Sequence, residues 1–111
     1  MTLGQRPVSV VIPAHDESAR IGRLLGQLTA GSPAGAVELV VACNGCTDDT
    51  AAIARTFDGV TVVEIPEASK RLALQAGDAI ARHGVRAYLD ADVTVTRHDL
   101  LSLVDALGGE W

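Results

Sequence analysis

Two hydrophobic periods alternate along the chain. Val8 to Ile12 is a short apolar run of β-branched residues closed by Pro13, which predicts a buried strand. Ile21, Leu24, Leu25 and Leu28 then share one helix face, and Gly31, Ser32, Pro33 and Gly35 break that helix. Val37 to Ala42 is a second apolar run. Asn44-Gly45 follows it, then a helix from about Thr47 to Phe57 whose Asp48 and Asp49 suit its positive end. Val60 to Ile65 predicts a third strand, closed by Pro66. Ser69 can cap a third helix reaching about His83, with Leu72, Ala76, Ala79 and Ile80 on one side. Arg86 to Leu89 is the fourth strand. Thr96, with Asp99 three residues on, resembles a capping box for a last helix that buries Leu100, Leu103, Val104 and Leu107 and ends at Gly108-Gly109.

Strands alternating with helices in this way predict an α/β fold: a Rossmann-like parallel sheet of about four strands, joined by right-handed crossovers and covered by helices on both faces. Ligands of such sheets bind beyond the carboxyl ends of the strands. The segments expected there are Pro13-Ala14-His15-Asp16-Glu17, Cys43-Asn44-Gly45-Cys46-Thr47-Asp48, Pro66-Glu67-Ala68-Ser69-Lys70 and Asp90-Ala91-Asp92.

Length and composition narrow the classes. At 111 residues the chain is read as a single domain, 1–111, and 48% hydrophobic residues with 3% aromatics suit small apolar helices on Val/Ile-rich strands rather than disorder. A net charge of −5 weighs against a nucleic-acid partner, because phosphate binding needs a basic face. No run approaches the roughly 18 apolar residues of a membrane span. Met1 to Pro7 lacks the basic-then-apolar order of a signal peptide, so a cytoplasmic location with reduced cysteines is expected.

Asp90 and Asp92 are two carboxylates at alternate positions after an apolar strand. Such a pair is costly without positive charge nearby, and hard oxygen ligands suit Mg²⁺ or Mn²⁺ completed by water and substrate phosphates. The simpler alternative makes them solvent-facing turn residues. Lys70, the lone lysine beside eight arginines, stands at a helix start where positive charge is locally unfavourable, which suggests an anion nearby. His15 is either a ligand contact or a surface residue, and His83 and His98 are read as surface residues.

Four segments together resemble family 2 glycosyltransferases. Val8-Ser9-Val10-Val11-Ile12-Pro13-Ala14-His15-Asp16-Glu17 is similar to the family's opening strand and loop, and Cys43-Asn44-Gly45-Cys46-Thr47-Asp48-Asp49-Thr50 to its second-strand segment. Ser69-Lys70-Arg71-Leu72-Ala73-Leu74-Gln75-Ala76-Gly77 resembles its Lys-containing helix start, and Asp90-Ala91-Asp92 its Asp-x-Asp motif. The resemblance implies an A-type glycosyltransferase fold that moves a sugar from a nucleoside diphosphate to an acceptor with inversion. It implies that Pro13, Ala14 and His15 lie against the nucleoside and that Glu17 contacts it from the first helix. Asn44 would read the base and Lys70 approach the nucleotide. Asp90 would lie near ribose and sugar, and Asp92, with Asp90 beside it, would hold Mn²⁺ or Mg²⁺ on the diphosphate.

Two departures from the family pattern matter. Cys43-Asn44 stands where an Asp-Asp pair is common, which leaves the base open because an amide both donates and accepts. The family's acceptor site and general base lie beyond the Asp-x-Asp segment, so the resemblance implies a donor-binding half, a truncated form of the fold with no assignable base. An open sheet edge and uncovered apolar surface are then expected to favour association. The competing readings are a non-catalytic nucleotide-binding remnant or interaction module, a Cys-x-x-Cys redox protein built on Cys43 and Cys46, and a nucleotidyltransferase. The last should carry a Gly-rich phosphate loop, and Pro13 to Glu17 contains no glycine.

Overall fold

A computed structural model of the chain describes residues 7–30 and 37–106. Gly31 to Gly35, Leu107 and Gly108-Gly109 lie outside the described residues. The elements are β1 (Val8–Ala14), α1 (Ile21–Thr29), β2 (Val37–Asn44), α2 (Thr50–Arg55), β3 (Val60–Ile65), α3 (Lys70–Ile80), β4 (Val85–Tyr88) and α4 (Arg97–Ala106). All strand pairs are parallel, in the order β3-β2-β1-β4. The expected α/β class with helices on both faces is what the chain adopts. No helix among the described residues is long and apolar enough to cross a membrane.

Right-handed crossovers decide where the helices go. β1 to β2 to β3 advances in one direction, and β3 to β4 returns past the start, so α3 must cover the opposite face from α1 and α2. Val8, Val10, Ile12 and Ala14 of β1 join Leu39, Val41 and Cys43 of β2 in one buried cluster. Ile21, Leu24, Leu25 and Leu28 of α1, Ala51 and Ala54 of α2, and Leu100 and Val104 of α4 complete it. Val11 and Val40 alternate to the other side of these strands, under α3.

Several element ends differ from the expected ones for identifiable reasons. β1 continues through Pro13 and Ala14, because pairing with β4 stops at Val11↔Tyr88 and the missing Pro13 N–H has no ladder partner to lose on that side. α2 begins only at Thr50, since the Asp48 carboxylate takes the Thr50 amide and holds the preceding residues in a turn. α3 ends at Ile80, short of His83. The α4 capping box forms as expected, with the Asp99 amide donating to Thr96 Oγ1 at 3.1 Å and the Thr96 amide to Asp99 Oδ2 at 3.4 Å.

Two buried faces need correction. Leu103 is 59% exposed, so α4 turns Leu100 and Val104 inward without it. On α3 the buried residues are Ala73 and Gly77, not Leu72, Ala76, Ala79 and Ile80. This helix sits so close to the sheet that a methyl group on Gly77 would overlap Val11 Cγ1. Large side chains are therefore confined to its flanks, where Ile80 stays 40% exposed.

A polar knot fixes the end of α3 to the amino edge of the sheet. Glu38 accepts from Ser9 Oγ at 2.6 Å, from the Arg82 amide at 2.8 Å and from Arg82 Nε at 3.1 Å. Ser9 Oγ in turn accepts from the His83 amide at 3.0 Å. Burial pushes the Glu38 carboxyl up, but the Arg82 amide, the Ser9 hydroxyl and the Arg82 guanidinium together outweigh it and hold its pKa below the ordinary 4.5. The folded carboxylate thus binds its proton less tightly than the unfolded one. Its contribution to stability is complete above the unfolded value and lost as pH falls through the folded one.

Two outcomes follow for stability. Gly77→Ala should lower it by about 1–2 kcal/mol, overlap with Val11 exceeding the gain in helix propensity, read as a lower urea midpoint. Glu38→Gln should flatten the acid limb of stability below about pH 4.5, measured by urea titration across pH, while wild type keeps that slope.

Candidate functional site

The sheet reverses its direction of growth between β1 and β4, which is where crevices open in such folds. A cleft of about 240 Å³ lies at this point, lined by Pro13, His15, Glu17, Asn44, Lys70, Asp90, Ala91 and Asp92. The residues singled out from the sequence meet there with the exception of Ala14. Ala14 points into the α1/α2 core at 1% exposure and takes part only through its carbonyl. Glu17 does line the cleft, from the loop before α1 rather than from the helix, with Arg20 paired to it at 3.1 Å.

The loops after β1 and β2 are tied together. Ala14 O accepts from Asn44 Nδ2 at 3.2 Å and from Cys46 Sγ at 3.3 Å. His15 Nδ1 donates to Asn44 O at 2.7 Å, which fixes the hydrogen on Nδ1 because a carbonyl can only accept. Asp16, in the left-handed region at φ 50°, accepts from the Thr47 amide at 2.7 Å. The Glu17 amide donates to Thr50 Oγ1 at 2.9 Å. Gly45 has φ 59° and passes so near Ala68 that a Cβ would lie 2.8 Å from Ala68 Cα, so glycine is required there on both counts. Asn44 is 4% exposed, and its amide is committed in part to Ala14. The periodic pattern gave no sign of these ties; the Asp/Thr-rich loop composition was the available signal.

Lys70 and Asp90 do not face solvent independently. Lys70 Nζ lies 2.6 Å from Asp90 Oδ1, so the anion expected beside this lysine is a residue of the site itself. Ser69 caps α3 as expected, accepting from the Leu72 amide at 3.2 Å, and so sets where Lys70 starts. Among the described residues the Asp92 carboxylate has no such partner, while its backbone carbonyl accepts from Arg23 of α1 at 3.4 Å. Asp90 and Asp92 both present exposed oxygens to the cleft, a donor set that fits a hard, partly hydrated divalent cation.

A second group, Asp16, Cys46 and Asp48, brings one potential ligand atom from each residue within 4.8 Å of the others. These carboxylates are already engaged by protein donors. Thr50 Oγ1 first, then the Thr50 and Ser18 amides, pull Asp48 down to about 2 against the effect of burial. Cys43 offers little to redox chemistry. Burial, with Cys46 beside it, pushes the Cys43 thiol up to about 12, the reverse of what a reactive helix-start thiol needs.

Residues 9–110 match the model of the family described as Glycosyl transferase family 2. Among curated proteins, the chain is similar to 4,4'-diaponeurosporenoate glycosyltransferase of Staphylococcus aureus strains MRSA252 and USA300. Each is 32% identical over 105 residues, covering 89% of this chain and 27% of the relative. The chain therefore spans about a quarter of the length of these relatives.

The loop ties predict unequal thiols. With iodoacetamide at neutral pH, Cys46 should be alkylated while buried Cys43 is protected, and both should react in denaturant. Mass mapping checks this; equal native rates would contradict the geometry.

Proposed function

The chain belongs to glycosyl transferase family 2, and from that premise we propose that its strand-end cleft holds a nucleoside diphosphate sugar for inverting glycosyl transfer. The supporting observation is that residues from all three of the β1, β2 and β4 ends, with Lys70 of α3, line one cleft. In this reading the nucleoside lies along Pro13, His15, Glu17 and Asn44. Lys70 faces the diphosphate, Asp90 lies near ribose and sugar, and Asp92 is the principal ligand of Mn²⁺ or Mg²⁺. Such a cation supplies positive charge to the diphosphate as its bond to the sugar breaks.

The acceptor named for the relatives, 4,4'-diaponeurosporenoate, is a carboxylate, so we propose an oxygen nucleophile here as well. The acceptor oxygen bonds to the anomeric carbon while the sugar–phosphate bond breaks, its electron pair leaving on the nucleoside diphosphate. The acceptor's proton, where it has one, passes to a base that we assign to none of these residues.

Calorimetric titration with UDP, GDP and dTDP in turn tests donor binding. Weak binding of one of them in Mn²⁺ is expected. Asp92→Ala should lower it at least roughly tenfold, the least that disturbing a metal's surroundings commonly costs. Equal binding by wild type and variant, or none by either, would sink the assignment.

A further inference from the structure

Three successive amides of the loop after β1 are received by side chains that follow β2. The Asp16 amide donates to Cys46 Sγ at 3.4 Å, the Glu17 amide to Thr50 Oγ1 at 2.9 Å and the Ser18 amide to Asp48 Oδ2 at 3.2 Å. The three acceptors are unequal. A thiol accepts weakly, and the bond to Asp48 is open to water. Thr50 is fully buried, at 0% exposure, so water does not replace its hydroxyl. The polarity of that hydroxyl is also fixed. Its single hydrogen goes to Asp48 Oδ1, which accepts the Thr50 amide as well at 3.0 Å, and its lone pairs are left to accept from Glu17.

Glu17 lines the cleft from a segment that precedes α1, which begins only at Ile21. Its neighbour Asp16 has φ 50°, a left-handed value that a residue with a side chain keeps only where its surroundings impose it. The direction of Glu17 is therefore set from outside its own segment. We propose that Thr50 is a positioning residue of the donor cleft: its hydroxyl, aimed by Asp48, fixes the Glu17 backbone and so the place where the Glu17 carboxylate meets the nucleoside. Thr50 does not itself line the cleft, so its effect on binding passes through Glu17. That Glu17 meets a nucleoside rests on the donor reading above; that Thr50 holds Glu17 rests on the hydrogen bonds alone.

The test compares Thr50→Val, which keeps the volume and removes the hydroxyl, with Thr50→Ser, which keeps the hydroxyl. Amide hydrogen exchange of the nucleotide-free chain, followed by NMR, should show the Glu17 amide protected in wild type and in Thr50→Ser. In Thr50→Val it should exchange at least about fivefold faster, as the loss of one hydrogen bond implies. Calorimetric titration with UDP, GDP and dTDP in Mn²⁺ should show the bound nucleotide weakened about fivefold by Thr50→Val and less than about twofold by Thr50→Ser. Should Thr50→Val not fold, Thr50→Cys, which leaves only a weak acceptor, is read in the same way. A Glu17 amide that exchanges freely in wild type, nucleotide affinity unchanged in Thr50→Val, or a loss in Thr50→Ser as large as in Thr50→Val overturns the proposal. Protection lost in Thr50→Val with no nucleotide bound by any form would keep the tie and remove the donor reading. Nucleotide binding that Thr50→Val leaves untouched would do the opposite.

Discussion

The parallel pairing of β1 on both sides is the constraint from which the site follows. Val8 to Ala14 run in register with Val37 to Cys43, and Val8 to Val11 with Val85 to Tyr88. Every side chain of β1 is buried, so one residue of slippage would exchange the contents of two cores. Parallel direction sends all carboxyl ends to one rim. Because β4 leaves the ladder at Tyr88 while β1 continues to Ala14, the rim is notched there, and Pro13 stands in the notch facing the cleft.

Around that notch the protein spends polar groups on itself before any ligand arrives. The loops after β1 and β2 hold one another through Ala14 O, Asn44, Cys46, Asp16 and Thr47. Such mutual satisfaction keeps His15 and Glu17 positioned without a helix beneath them, a form of preorganisation that short loops rarely achieve alone. The amino edge of the sheet carries the corresponding knot at Glu38, so α3 is anchored at its far end and its Lys70 end is held by the Ser69 cap.

Much of this was legible in the chain because parallel strands buried on both faces are written as unbroken Val/Ile runs, and helices between them as four-residue repeats. Strand direction then brought Pro13, Asn44 and Asp90 to one place without further information. Face assignment failed where packing distance, not hydrophobicity, decided it: α3 approaches through Ala73 and Gly77, and its larger apolar residues misled. Leu103 failed for a related reason, since α4 meets the core along Leu100 and Val104 only. The Lys70–Asp90 contact joins residues 20 positions apart and has no period to betray it.

That contact makes the cleft its own first occupant. In the donor reading proposed above, an anion at Lys70 and a cation at Asp90 would each compete with this exposed pair, and whichever bound first would free the group that the other uses. Binding of the two would then be linked with positive sign, each raising the other's affinity by the same factor, as thermodynamic reciprocity requires.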